Sequence, residues 1–381
     1  MTGLLKYTQS ILDLRKEQNY FRFLKDKKKN DLSKSFLIDF SSNDYLGLSQ
    51  HPLLKQRAIE YVQKYGCGSK SSRLLATDLH FYSPVEQKIS LLKGKESSLI
   101  LNCGYQANLS LLSSLVNKQS LVFADRLCHH SLLMGAKLGG ARLLRYRHND
   151  YHHLKYLMNK HKGGSSTCIV TESTFGMDGD CANLEELIKI KKEFHSFLYV
   201  DEAHSTGILG KKGRGLAADQ EDIDIVMGTF GKALGSFGAY LSCSQKLKDY
   251  FINCCGGFIY TTALPPSVLG SIDAAIDLLP SLEKQREKIL KNASWLRQAL
   301  HKEGWNCGQS STHIIPIIVG ENKQALNIEN ELKKRGIITT AIRQPTVPAK
   351  QARIRIALSS EHTKDHLKTL LQKLEDCKNK L

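Results

Sequence analysis

From about residue 95 onward, short unbroken apolar runs alternate with longer segments whose apolar positions recur at helical spacing. SLILN, SLVFAD, CIVTES, FLYVDEAH, DIVMGTF and AYLSC are short and continuous, and predict strands. ANLSLLSSLVN and NLEELIKIKKEFH lie between them and predict helices. Strand, helix, strand in repetition predicts a mostly parallel sheet covered by helices. Upstream, Leu4, Leu5, Ile11, Leu12, Phe21 and Leu24 recur near helical spacing and predict a helix over residues 1 to about 30. A polar break, KKKNDLSKS, then precedes the strand-like FLIDFSS. Downstream, the turn signal ALPPS at 263–267 opens onto a long amphipathic helix around Leu282 to His301, and HIIPIIVG and ARIRIAL predict further strands. No internal repeat is present. The expected organisation is an N-terminal arm over 1–45, a large α/β domain over 46–270 and a smaller C-terminal α/β domain over 271–381.

Composition narrows the class. With 381 residues, 41% hydrophobic and 24% charged, the chain is neither disordered nor low-complexity. No run approaches the roughly 18 apolar residues that would cross a bilayer. The start, MTGLLKYTQS, lacks a basic segment followed by an apolar one, so no secretory signal, no membrane association and a cytoplasmic location are expected. Ten cysteines are scattered, mostly inside apolar runs, with no CxxC pair and no zinc spacing. They predict small buried hydrophobes rather than disulfides or a metal site. The charge is unusual: 54 Lys and Arg against 37 Asp and Glu give +17. Such a balance suits nucleic acid, an acidic protein or a polyanionic small molecule such as coenzyme A. The densest stretch, Arg15 to Lys29, has only Tyr20, Phe21 and Phe23 as aromatics and no nucleic-acid-binding spacing, which favours a solvated basic helix.

The chemistry centres on Lys232, in TFGKALGS just after the strand IVMGTF, where Gly231 and Gly235 allow close approach. A lone lysine in such a turn is commonly a surface lysine. Asp201, 31 residues earlier, ends the strand FLYVDEAH, and in open parallel sheets ligands gather beyond the carboxyl ends of strands. A Schiff-base lysine carrying pyridoxal phosphate needs a carboxylate to keep the pyridine nitrogen protonated. Asp201 suits that bond, and His204 could donate to the phenolic oxygen. A phosphate needs backbone N–H groups at a helix start, together with hydroxyls. Gly104 and Tyr105 in NCGYQANLS, and Thr229, supply these. His129 in ADRLCHHSL follows another strand and could stack on the ring, with His130 as the alternative.

These segments carry a resemblance to the α-oxoamine synthases, fold-type-I transferases that depend on pyridoxal 5'-phosphate. The matching stretches are FSSNDYLGLS (40–49), GYQAN (104–108), ADRLCHHSL (124–132), RHND (147–150), FGMDGD (175–180), VDEAHSTGILGKKGRG (200–215), TFGKALG (229–235), IYTTALPPS (259–267) and TAIRQPTVPAKQARIRIAL (340–358). The resemblance implies that Lys232 is the Schiff-base lysine, Asp201 the pyridinium partner, His204 the phenolate partner and His129 the stacking histidine. It implies phosphate contacts for Gly104, Tyr105 and Thr229, and for Thr261 and Thr262 contacts to the phosphate of the neighbouring subunit, hence a homodimer with shared sites. Arg355 and Asn43 match positions at the amino-acid carboxylate, and Arg22 and Thr346 positions at the acyl substrate. The implied reaction joins an amino acid to an acyl thioester with loss of carbon dioxide. The branch most resembled uses L-alanine with a pimeloyl group on coenzyme A or acyl-carrier protein, in biotin biosynthesis. The alternative branches use glycine with an acetyl or succinyl thioester.

Three positions depart from the family pattern. Gly176 stands where a serine is usual, Lys70 replaces a glycine in GSKSS, and the usual H-x-H reads His80-Phe81-Tyr82. Arg22 and the compact length favour the pimeloyl branch. A nucleic-acid-binding protein, the other class suggested by +17, is disfavoured by the pairing of Lys232 with Asp201.

Overall fold

Strands without alternation can be buried on both faces, and the apolar runs from residue 97 to 243 do this in a computed structural model describing residues 2–22, 24, 37–76, 80–161 and 166–378. Seven strands form one sheet in the spatial order Ser97–Leu101, Ala239–Cys243, Ile225–Thr229, Phe197–Asp201, Ser166–Glu172, Ser120–Asp125, Arg142–Tyr146. Ala239–Cys243 runs antiparallel to both its neighbours, and every other pairing is parallel. Successive side chains point to opposite faces. Val122, Ala124, Cys168, Val170 and Tyr199 thus join one apolar cluster, with Leu111 and Leu112 of the helix Gly104–Leu115. Leu121, Phe123, Ile169, Leu198 and Val200 join the other, with Leu187 and Ile188 of the helix Leu184–Glu193. The register pairs Glu172 with Asp201 and Asp201 with Met227, bringing several polar residues to one edge of the sheet.

This sheet belongs to a unit formed by residues 43–175 and 180–288. A second unit comprises the described residues up to 42, residues 176–179 and the chain from 289 onward. Its three-stranded antiparallel sheet has the order Thr340–Ile342, Ala352–Ala357, Ile314–Gly320. Ile289, Ala293, Leu296 and Leu300, at helical spacing on the helix Glu283–Lys302, are buried. So are Leu367, Leu370, Leu371 and Leu374 of the helix Lys364–Lys378.

Two expectations need correction. The N-terminal helix spans only Gly3–Glu17 and buries no residue. Asn19 adopts φ +58, a left-handed conformation that asparagine tolerates, and the amides of Tyr20 and Phe21 fold back onto the Arg15 carbonyl at 2.7 and 3.0 Å. Phe21 and Leu24 therefore extend no helical stripe. Phe23 and the polar break, KKKNDLSKS, lie outside the described residues. The cysteines form no disulfide, but Cys67 and Cys254 are exposed rather than buried.

Candidate active site

Asp201 ends its strand on the face shared with Tyr199, where the helix Gly104–Leu115 packs. Its side chain is 4% exposed. Oδ2 accepts from Asn108 Nδ2 at 2.8 Å and Oδ1 from the Ala203 amide at 2.8 Å, which fixes the carboxylate plane. Asn108 Oδ1 in turn accepts from the Tyr199 hydroxyl at 2.8 Å. Asn108 lies in the GYQAN segment, but sequence reasoning assigned it no role. Its signal was helical spacing, four residues from Gly104 on the same helix.

His204 connects two elements. Its Nε2 is 2.8 Å from Lys232 Nζ, and its Nδ1 is 2.7 Å from the Tyr45 hydroxyl. Tyr45 donates its proton to Asn43 Oδ1 at 3.0 Å. His204 thus lies between the Tyr45 hydroxyl and the Lys232 amine, within hydrogen-bond reach of both. Tyr45 is fully buried and was also missed from sequence, although it lies inside the quoted SSNDYLGLS. Of the two glycines flanking Lys232, Gly235 has φ +62, and a Cβ there would lie 2.4 Å from the Ser49 amide nitrogen. Gly231 leaves its nearest neighbour at 3.6 Å, an ordinary contact, so the close approach predicted at both glycines occurs only at Gly235.

His130 Nδ1 lies 3.3 Å from the Tyr105 hydroxyl, whereas His129 is tied into the strand ends. Its amide donates to Glu172 Oε1 at 2.6 Å, its Nδ1 lies 2.7 Å from Ser131 Oγ, and its ring meets that of Tyr105 edge-on at 6.2 Å. Desolvation lowers its pKa below the ordinary histidine value; Asp201 opposes the shift and Lys232 adds to it. Glu172 is driven the other way: burial first, then the negative charge of Asp201, raises its carboxyl well above the usual range.

Gly104 starts a helix whose preceding residue, Cys103, provides no side-chain cap. A Cβ on Gly104 would meet Thr229 Cβ at 3.7 Å, so this helix start and the threonine lie side by side. Thr229 Oγ1 donates to the Gly238 carbonyl at 2.8 Å and accepts from the Gly231 amide at 3.2 Å. Asn102 Nδ2 donates to Thr261 Oγ1 at 3.2 Å and to the Thr262 carbonyl at 2.7 Å, linking the threonine pair to the same helix start. A lysine amine, a buried ordered carboxylate, an imidazole and a helix start with no side-chain cap form a set that fits pyridoxal phosphate.

The remaining predicted residues lie in the other unit. Arg355 is 4% exposed, and its Nε donates to the Gly176 carbonyl at 2.6 Å. The missing serine hydroxyl at 176 is therefore not needed for that bond. Arg353 Nη1 bonds Asp178 Oδ1 at 2.5 Å. Arg22 Nη2 donates to Thr346 Oγ1 at 3.1 Å, so two residues predicted at the acyl substrate touch each other. Tyr82, in the altered H-x-H, is fully buried and donates to the Leu264 carbonyl at 2.9 Å. Lys70 stands at φ +62, the left-handed conformation for which the family pattern places glycine.

The family model described as aminotransferase class I and II matches residues 36–374. The 8-amino-7-oxononanoate synthase of Gluconacetobacter diazotrophicus is 47% identical over 348 residues, covering 89% of this chain and 87% of that protein. A serine palmitoyltransferase solved with pyridoxal phosphate as internal aldimine superposes with TM-score 0.88 at 27% identity, covering 99% of this chain and 97% of that one. The 8-amino-7-oxononanoate synthase of Francisella tularensis gives TM-score 0.78 at 30% identity, covering 90% and 97%. The chain belongs to the class I and II aminotransferase family, and within it to the pyridoxal-phosphate-dependent α-oxoamine synthases. It is an enzyme of the acyltransferase type, similar to relatives named 8-amino-7-oxononanoate synthase.

Proposed function

We propose that the protein condenses L-alanine with a pimeloyl thioester, carried on coenzyme A or acyl-carrier protein, to give 8-amino-7-oxononanoate, carbon dioxide and the free thiol, a step of biotin biosynthesis. The observation that carries the chemistry is the Lys232 amine 2.8 Å from the His204 imidazole nitrogen Nε2. The choice of substrates rests on the relatives' names together with the Arg22–Thr346 contact.

Bound pyridoxal phosphate supplies an electron sink for negative charge at the amino acid's α carbon. The chain's own groups do the rest. Lys232 Nζ removes the Cα proton and later returns one, and His204 Nε2 shares hydrogen with that amine between the two events. The Asp201 carboxylate holds a proton at the cofactor's ring nitrogen, its oxygens kept in place by Asn108 and Ala203. His129, whose pKa desolvation lowers, would lie against the cofactor ring. Gly104, Tyr105 and Thr229 bind the phosphate. Thr261 and Thr262 reach the phosphate in a second subunit, which makes the working form a homodimer. Arg355 and Asn43 hold the alanine carboxylate so that the Cα–H bond faces Lys232. Arg22 and Thr346 take the far carboxylate of the pimeloyl chain.

The deciding experiment supplies purified protein with amino acid and thioester pairs and measures carbon dioxide and thiol release. L-alanine with a pimeloyl thioester is expected to be turned over best. Preference for glycine with an acetyl or succinyl thioester would replace this reading with the alternative branch. Among the described residues no helix is long and apolar enough to cross a membrane.

A further inference from the structure

Lys93 and Glu202 take no part in the chemistry above, yet both side chains are 0% exposed and their Nζ and Oε2 atoms are 2.7 Å apart. A buried ion pair is not in itself a source of stability, because desolvating two charges offsets their attraction. What distinguishes this pair is where its bonds go. Glu202 directly follows Asp201, and its amide donates to the Met227 carbonyl at 2.7 Å. Its carbonyl accepts from the Ser205 and Thr206 amides, both at 3.0 Å, closing a turn that contains His204. The Lys93 ammonium reaches both ends of this turn: Glu202 Oε2, and Thr206 Oγ1 at 2.9 Å. Its third bond goes to the Arg214 carbonyl at 2.5 Å, so all three donors are used. The second Glu202 oxygen accepts from the Ala217 amide at 2.8 Å, and Thr206 Oγ1 also meets the Tyr240 hydroxyl at 2.7 Å.

Lys93 is itself firmly held. It ends the helix Tyr82–Lys93, whose last carbonyls are closed by Arg214: Nε donates to Leu92 at 2.6 Å and Nη2 to Leu91 at 3.1 Å. We propose that Lys93 is a positioning residue for the reaction, clamping the Glu202–Thr206 turn at both ends and so fixing the His204 imidazole against the Lys232 amine. The inference rests on the roles given to His204 and Lys232 under Proposed function. A point charge with three donors can hold two ends of a turn at defined distances. An apolar side chain of similar volume can fill the space but supplies no direction.

The test compares three proteins loaded with pyridoxal phosphate: the wild type, Thr206→Val, and the double variant Lys93→Met with Glu202→Met. Thr206→Val keeps the ion pair and removes one leg of the clamp. The double variant keeps the core filled, leaves no unpaired charge, and removes the clamp. Both are expected to lose about tenfold in kcat with the alanine KM held within about twofold. Both should also shift the visible absorption band of the bound cofactor, while borohydride still fixes the cofactor to Lys232. Wild-type band position and kcat in Thr206→Val would overturn the clamp, as would a melting-temperature loss with no change in band or kcat. Should the double variant fail to fold, Thr206→Val decides alone. Absence of an adduct on Lys232 in the wild type would overturn the underlying reading of the site, a result distinct from a wild-type adduct accompanied by an unchanged Thr206→Val band.

Discussion

Arg22 lies in the most basic stretch of the chain, where a charge ordinarily serves solvation, yet it bonds a threonine 324 positions away. That contact separates it from its neighbours. On the proposed reading it pairs with the far carboxylate of pimelate, a group that an acetyl donor lacks. A charge-assisted bond of this kind is worth on the order of 1.5–3 kcal/mol. Arg22→Ala should therefore raise the KM for a pimeloyl thioester about tenfold or more, with the alanine KM unchanged, in initial-rate assays. An unchanged pimeloyl KM would return Arg22 to the solvated charges. Tyr45 and Asn108 show the converse case. Both lie inside segments that carry the family resemblance, but nothing in their local sequence says that a tyrosine faces His204 or that an asparagine bridges Asp201 and Tyr199. Those bonds span 159 and 93 positions, beyond the reach of periodicity.

At the scale of elements, the RHND segment is held by an ionic contact that its sequence does not announce. His148 Nδ1 is 3.0 Å from Asp125 Oδ1 and Nε2 is 2.7 Å from Asp180 Oδ2, so one imidazole ties the end of the strand Ser120–Asp125 to the loop that follows Ser166–Glu172. Burial works against its charge, but the two carboxylates prevail and raise its pKa to about 10. A group whose pKa is raised on folding contributes stability that is present in full below its unfolded value, about 6.5, and is lost as pH rises through the folded one. The wild-type melting temperature should thus fall between pH 7 and pH 10, and His148→Gln should flatten that slope while lowering the plateau near pH 6. Calorimetry across this range checks it, and equal slopes in the two proteins would remove His148 as the cause. The N-terminal helix makes a complementary point: its periodicity was legible, but its end at Glu17 depended on Asn19 adopting a left-handed conformation and on the turn back to Arg15.

At the scale of the whole molecule, the threonine pair gives the proposed homodimer a sharp consequence. If Thr261 and Thr262 serve the neighbouring subunit, a mixed dimer of Lys232→Ala and Thr262→Ala subunits holds one undamaged site and one doubly damaged site. Activity should then reappear on mixing two individually impaired proteins. Failure to recover, with subunit exchange demonstrated by mass spectrometry, would assign the threonines to their own subunit's site, where Asn102 already holds them near Gly104.

The sequence alone determined the mostly parallel sheet covered by helices, the placing of Asp201, Thr229 and Lys232 at or just after strand ends, and the family. These follow from short-range information: unbroken apolar runs, glycine turns and motifs that keep their order along the chain. It did not determine that Tyr45 meets His204, that Asn108 holds Asp201, or that Lys93 closes the turn carrying His204. Those were decided only by tertiary structure, because hydrogen bonds act over about 3 Å and their partners here come from elements tens to hundreds of residues apart. Only folding of the sheet and its helices brings such groups within reach, and only then can burial decide which charges must be paired.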